Sequence, residues 1–255
     1  MSLSELQNLD GCVALVTGGS RGLGLQMAEV LGELGAKVAI TARKMHELTA
    51  AAEHLRSLGI ETFPIVCDMS NLDAIPSMVG TVVDALGPID VLVNNAGTSW
   101  GASTIEHSLD GWQKVINLNV TAIFVITQEV GRRCMVPRKS GKVINIASIQ
   151  GLAGLYPEGI PTLGYNASKG AVVNMTRTLA NEWAPLGINV NAIAPGYFPT
   201  KMTAQLSERE TSKMSVMDRV GGSEDLKGVT ALFATKAGAF ITGQILAVDG
   251  GVTAV

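Results

Sequence analysis

Short apolar runs recur along the chain at 13–18 (VALVTG), 37–41 (KVAIT), 64–68 (PIVCD), 91–97 (VLVNNAG), 142–148 (KVINIAS), 188–196 (INVNAIAPG) and 244–251 (QILAVDGG). Each is rich in Val and Ile and apolar on both alternating faces, the pattern of a strand covered on both sides, as in a parallel sheet. Between these runs the apolar positions switch to helical spacing. In 23–35, Leu23, Met27, Val30, Leu31 and Leu34 fall on one stripe. The helical stretch 46–59 ends at Gly59, a residue type that closes helices just past their last turn. The alternation predicts an α/β fold: a doubly wound sheet of about seven parallel strands with helices on both faces and right-handed crossovers. No proline- or serine-rich linker interrupts the pattern, so residues 1–255 are expected to form a single domain. Between 198 and 222 the rhythm lapses into FPTKMTAQLSERETSKMSVMDRVGG. A segment of that kind directly after a strand is a candidate lid or binding loop, with a plain surface excursion as the alternative.

Composition narrows the partners. The 255 residues include 29 glycines, where ordinary usage would give about 18. The glycines show no three-residue period, which excludes collagen. With 47% hydrophobic residues and a formal net charge of −3 the chain is not disordered. Nineteen Lys+Arg against 22 Asp+Glu leave no electrostatic footprint for nucleic acid, and no polybasic run suits an anionic membrane surface. The start MSLSELQNLDG does not read as a secretory signal, and no run approaches the ~18 apolar residues a spanning helix needs. Cys12, Cys67 and Cys134 are odd in number and far apart, and His46, His54 and His107 are scattered, so neither a disulfide framework nor a metal site is indicated. The expectation is a cytoplasmic protein.

The chemistry concentrates at the ends of the predicted strands. The first strand runs into TGGSRGLG, Thr17 to Gly24, and then into a helix. Gly18, Gly22 and Gly24 put no side chain between backbone and a pyrophosphate, while the helix N-terminus offers free N–H groups and a positive dipole end. The spacing is Gly-x-x-x-Gly-x-Gly rather than Gly-x-Gly-x-x-Gly. A purely structural turn would look the same, but the position at the first strand-to-helix turn points to a dinucleotide. At the end of the second strand, ITARK places Ala42 where an acid would bind the ribose of NAD. Arg43 and Lys44 follow, and Arg21 adds a cation from the glycine turn. Guanidinium suits a 2′-phosphate, and the missing carboxylate removes the repulsion that would exclude it. The reading is NADP(H), with a solvated basic turn as the alternative for Lys44.

Tyr165 and Lys169 stand four apart in YNASKGAVVNMTRTLANEW and share a helix face. A nearby ammonium is expected to lower the tyrosine pKa and fit it to exchange a proton near neutral pH. Ser148 ends a strand, where ligands of open α/β sheets bind, and its hydroxyl can donate to a substrate oxygen. Asn119, in WQKVINLNVTAIFVITQEV, is expected to polarise a water or to hold Lys169. Singly, each reads equally well as a cap or helix residue.

The ordered series TGGSRGLG, NNAG at 94–97, Asn119, Ser148, YNASK, the PG at 195–196 and GQILAVDGG resembles the short-chain dehydrogenase/reductase family over essentially the whole chain. The resemblance implies a Rossmann-type fold, a nicotinamide cofactor and the tetrad Asn119, Ser148, Tyr165 and Lys169. Its reaction would interconvert a ketone and a secondary alcohol with Tyr165 as general acid/base. By the same carry-over, Ser20 and Leu23 join the phosphate turn, Asp68 contacts the adenine beside Met69, and Asn95, Ala96 and Gly97 line the cofactor. Pro195 and Gly196 also border it, and the backbone of Phe198 and hydroxyl of Thr200 hold the carboxamide. Phe198 departs from the small β-branched residue usual there, which leaves its side-chain role open. A homotetramer is also implied, built partly from the helices carrying Asn119 and Tyr165 and partly from the C-terminal strand.

Seventeen positions separate Ser148 from Tyr165, more than is usual in that family. The intervening QGLAGLYPEGIPTLG must pass close to substrate if both of its ends are catalytic, which makes Gln150, Leu155 and Tyr156 candidate contacts. With Leu152, Pro157 and Ile160 it is mostly apolar, and Glu158 is its one charge. Trp100 is a candidate second wall. An apolar mouth suits an acyl chain or bulky ketone, so a 3-oxoacyl thioester reductase is the first expectation. Against it, APGYFPTKMT and the tail GGVTAV resemble gluconate 5-dehydrogenases, in which case Lys201 would pair with the carboxylate of a sugar acid. A third alternative is a dinucleotide-sensing member without catalysis, which would be free to lose Ser148, Tyr165 or Lys169. All three are present.

Overall fold

In the computed structural model, residues 1–154, 161–201, 203 and 211–254 are described. Strands β1 (Val13–Thr17), β2 (Lys37–Ala42), β3 (Thr62–Val66), β4 (Val91–Asn94), β5 (Gly141–Ile146), β6 (Ile188–Pro195) and β7 (Ile245–Val248) follow one another in the chain. They form one seven-stranded sheet in the order β3-β2-β1-β4-β5-β6-β7, and every neighbouring pair is parallel. The expected Rossmann-type sheet is therefore present. Among the described residues the helices include α1 (Leu3–Gln7), α2 (Gly22–Glu33), α3 (Met45–Ser57), α4 (Ala74–Leu86), α5 (Leu109–Ile116), α6 (Ala122–Val130), α7 (Val136–Arg138), α8 (Leu163–Trp183) and α9 (Lys227–Ala234). π-turns at Asn117–Thr121 and Gly131–Met135 join α5 to α6 and α6 to α7.

The two apolar faces read from the strand runs are two cores. Ala14 and Val16 of β1 join Val38, Ile40, Val91, Val93 and Ile144 under Met27 and Leu31 of α2 and Leu48 and Leu55 of α3. The intervening Val13 and Leu15 point the other way, onto a core with Leu92 and Val143 beneath α4, α6 and Trp183 of α8. Each side chain of this size taken fully out of water contributes about 1.5–3 kcal/mol, so covering both faces is what holds the helices in place. Among the described residues no helix is long and apolar enough to cross a membrane.

Several apolar runs extend past the strands they predicted. β4 stops at Asn94, β5 at Ile146 and β3 at Val66. Asn95–Gly97, Ala147–Ser148 and Cys67–Asp68 thus lie just beyond the hydrogen-bonded sheet, on its carboxyl edge. The strand order reverses between β1 and β4, and α/β sheets of this kind open a crevice at that point.

Candidate active site

A cleft of about 920 Å³ runs along this edge. Its floor begins at the turn between β1 and α2. Gly22 has φ +53°, and a Cβ there would point across the cleft toward Thr200, 3.6 Å from its Cγ2. A Cβ on Gly24 would collide with the carbonyl oxygen of Gly18 and the amide of Asn95. The turn is locked to the neighbouring strand. The Asn95 side-chain amide donates to the carbonyls of Thr17 (2.9 Å) and Gly18 (3.1 Å), while the Thr17 hydroxyl accepts from the backbone of Asn95 and Ala96, both at 3.0 Å. Asn95 therefore braces the glycine turn, a task its position in NNAG alone did not reveal.

At one end of the cleft Arg21, Arg43 and Lys44 are gathered, as the sequence predicted. Glu47, from the first turn of α3, joins them. Its carboxylate accepts from Arg21 Nη1 at 2.7 Å and lies 3.5 Å from Lys44 Nζ. Asp68 follows β3 with Met69. Its partial desolvation works against ionisation, but hydrogen bonds from the Ser70 amide (2.9 Å) and hydroxyl (2.7 Å), with the charge of Arg43, outweigh that and hold its pKa below the usual carboxylate value. A glycine-floored groove at a helix N-terminus, with cations gathered at one end, fits a long phosphorylated ligand.

At the other end the candidate catalytic groups meet. Ser148 and Tyr165 line the cleft and face each other. Lys169, one turn along α8, is buried and also lines it; its Nζ donates to the Ile146 carbonyl at 2.6 Å and lies 5.6 Å from the Tyr165 ring centroid. Burial pulls the Lys169 pKa down from 10.5 to about 8. Burial pushes the Tyr165 phenol up, with the Ser148 hydroxyl opposing. This corrects the expectation of a tyrosine lowered by Lys169: desolvation of the phenolate dominates, and the ammonium is held on a backbone carbonyl.

Asn119 does not line the cleft. It is fully buried in the π-turn. Its Oδ1 accepts from the Thr98 amide, and its Nδ2 donates to the Thr98 carbonyl and the Ser168 hydroxyl, each at 2.9 Å. Ser168 in turn donates to the Tyr165 carbonyl at 2.7 Å. The expected link from Asn119 to Lys169 is not formed: the Asn119 acceptor, Oδ1, takes the Thr98 amide, and the Lys169 ammonium donates to the Ile146 carbonyl. A π-turn widens the helix locally and such turns gather at functional sites; here it carries a side chain that joins α8 to the loop after β4.

Every residue read as cofactor-binding lines this cleft: Gly18, Ser20, Arg21, Gly22, Leu23, Gly24, Arg43, Asp68, Met69, Asn95, Ala96, Gly97, Tyr165, Lys169, Pro195, Gly196, Phe198 and Thr200. Thr200 takes part through its own turn, its amide accepted by the Thr203 hydroxyl at 2.9 Å. The Phe198 ring packs into the core against Gly221, which gives its departure from the usual small residue a packing role. The substrate walls fare differently. Trp100 lies against Gly111 with Lys114 Nζ 5.3 Å from its ring centroid, and it does not line the cleft. Nor does Gln150, whose backbone amide donates to the Ser148 hydroxyl at 3.2 Å. Leu155 and Tyr156 lie outside the described residues. The sequence reading missed Glu47 and Lys114 in the lining and Ser168 behind it. The i,i+3 spacing of Lys44 and Glu47 was the available signal.

The fold and the cleft define a nucleotide-binding α/β protein with a Ser–Tyr–Lys cluster at the mouth of its central strands. A family profile described as short chain dehydrogenase matches residues 12–211. The chain belongs to that family. It is 38% identical to a gluconate 5-dehydrogenase of Gluconobacter oxydans, covering 99% of both chains. It is 37% identical to a 3-oxoacyl-[acyl-carrier-protein] reductase of Synechocystis, covering 94% of this chain and 96% of that one. A crystal structure of a gluconate 5-dehydrogenase from Burkholderia cenocepacia in complex with NADP and tartrate superposes with a TM-score of 0.92 at 32% identity, over 100% of both chains.

Proposed function

We propose that the protein is an NADP(H)-dependent oxidoreductase that interconverts a ketone and a secondary alcohol, with a sugar acid as its substrate class. The observation that carries the reaction is the meeting of Ser148 and Tyr165 above buried Lys169, in the same cleft as the glycine turn and Arg21, Arg43 and Lys44. The dinucleotide, when bound, supplies or accepts the hydride. The turn Gly18–Gly24 would cradle its pyrophosphate, Arg21 and Arg43 its 2′-phosphate, and Lys169 a ribose hydroxyl. In reduction, the hydroxyls of Ser148 and Tyr165 donate to the carbonyl oxygen, and Tyr165 gives that oxygen its proton as charge develops on it. Donors aimed at the developing oxyanion favour the transition state over the neutral ketone. Lys169 stabilises the phenolate that results until it is reprotonated. Asn119 holds α8, and with it Tyr165, in register with the loop that carries Thr98.

The substrate class rests on charge. Lys114 and Lys201 line the cleft, while its described carboxylates, Glu47 and Asp68, stand with the nucleotide-facing cations. A free carboxylate on the substrate would meet cations there. The gluconate 5-dehydrogenases among the relatives support the same reading. The 3-oxoacyl class was first expected from the apolar segment before Tyr165; of that segment Leu152 does not line the cleft, and Leu155, Tyr156, Pro157 and Ile160 lie outside the described residues. A panel of 5-ketogluconate, an acetoacetyl thioester and an aromatic ketone, each with NADPH and with NADH, tests both parts. Turnover highest with 5-ketogluconate and NADPH is the expected result; preference for the thioester would return the protein to the reductase class. The same reading takes residues 1–255 as one domain, a homotetramer in the cytoplasm. Sedimentation at a tetramer's mass is expected, and a monomer would contradict it.

A further inference from the structure

The cations gathered for a 2′-phosphate are not free. Glu47 reaches from the first turn of α3 to Arg21 Nη1 at 2.7 Å and to Lys44 Nζ at 3.5 Å, and lines the cleft with both. Its side chain is 20% exposed, against 48% and 51% for Arg21 and Lys44, so the carboxylate is the inner member of the cluster. Ala42, at the strand end, removes one carboxylate from the ribose position, and Glu47 returns one from five residues downstream.

We propose that Glu47 is a specificity-determining residue that sets how strongly the cleft prefers a 2′-phosphorylated dinucleotide over an unphosphorylated one, by occupying Arg21 and Lys44 as an internal anion. The inference rests on the NADP(H) reading above. Two effects act in the same direction. Arg21 must release or share Glu47 to receive a phosphate, and an exposed ion pair of this kind is weak enough to be exchanged. The phosphate, carrying nearly two negative charges, then sits near a carboxylate that stays ionised, since desolvation, the largest single influence, is outweighed by Arg21 and Lys44 together. An unphosphorylated ribose feels neither effect. If Glu47 instead served to pre-order Arg21 for phosphate, its removal would act with the opposite sign.

The test is Glu47→Gln, which keeps the shape and removes the charge, read by titration calorimetry of the purified protein with NADP⁺ and with NAD⁺. Wild type is expected to bind NADP⁺ more tightly. In E47Q the NADP⁺ dissociation constant should fall by about tenfold, the size of one screened like-charge contact, with that for NAD⁺ changed less than twofold. A preference that is unchanged or lower in E47Q overturns the proposal. Failure of wild type to bind either dinucleotide would overturn the cofactor reading itself, a distinct result.

Discussion

Lys169 stores instability that pH can release. Its ammonium is buried, donates to the Ile146 carbonyl at 2.6 Å, and pairs with no carboxylate among the described residues. Burial alone moves its pKa from 10.5 to about 8. The sign follows from which state holds the proton. Below about pH 8 both folded and unfolded chains carry the charge, and the folded state bears the full cost of burying it. Between about 8 and 10.5 the folded protein releases the proton while the unfolded chain keeps it, so stability rises with pH across that window. At ~1.4 kcal/mol per unit, the gain attributable to Lys169 is about 3 kcal/mol. Lys169→Met removes the titration and keeps most of the volume. Urea denaturation of both proteins at a series of pH values from 7 to 10 isolates the effect, because the tyrosines and cysteines that also titrate there are common to both. The variant should be the more stable at pH 7 by a margin below the full 3 kcal/mol, since it leaves the Ile146 carbonyl unpaired, a cost of about 1–3 kcal/mol. The difference should then shift toward wild type by about 2–3 kcal/mol by pH 10. A difference flat to within about 1 kcal/mol over that range would show that the ammonium is solvated in the folded state, and the account of Lys169 as desolvated by burial would fail.

Two further outcomes follow from the same geometry. Tyr165→Phe removes only the proton-exchanging hydroxyl, so turnover should fall by at least about 10²-fold while the dissociation constant for NADPH, read by its fluorescence, stays within a few-fold; retained turnover would sink the assignment of the acid. Arg43→Ala should weaken NADPH by about 10- to 100-fold, the worth of a charge-assisted hydrogen bond, and NADH far less; equal losses would show that the phosphate is held elsewhere.

Val13 to Val16 alternate between the two cores, so β1 and its double burial were legible from the apolar run alone. The strand ends were not. VLVNNAG and KVINIAS continue without a break in polarity past Asn94 and Ile146; what stops the strand is that Asn95 turns to bind Thr17 and Gly18, a contact with a residue 77 positions away. Most motif residues at the cleft were legible because they sit where an element begins or ends, and that position is local information; Lys169, inside α8, was legible from its spacing to Tyr165. Trp100 and Gln150 failed for the opposite reason. Their proposed role depended on which way a loop side chain faces, and Gly111 leaves the gap that Trp100 fills on the far side of the loop. The direction of the Tyr165 pKa was misread because spacing reports neighbours but not solvent, and burial dominates it.

Asn119 shows what such long-range bonds contribute to the reaction. Its amide makes three hydrogen bonds, two to Thr98 and one to Ser168, all at 2.9 Å and all within a fully buried side chain's reach. Ser168 passes the connection to the Tyr165 carbonyl. Asn119→Ala breaks all three at once and leaves the Thr98 amide and carbonyl without these partners. At about 1 kcal/mol per bond, with more for any group left dry, the loss of stability should be about 3–4 kcal/mol. Ser168→Ala breaks one of the three together with its own bond to Tyr165, and should cost about 1–2 kcal/mol. Because Asn119 has no place in the cleft lining, the change should leave the NADPH dissociation constant within a few-fold while kcat falls steeply, as Tyr165 loses its fixed distance from Ser148. If Asn119→Ala were as stable as wild type to within about 0.5 kcal/mol yet inactive, the side chain would be acting on substrate or water directly and the bridge would be incidental. If it were destabilised as stated but kept its kcat, α8 would be held in register by its packing alone, through Val172 and Val173 against Ala192 and Ala194 of β6.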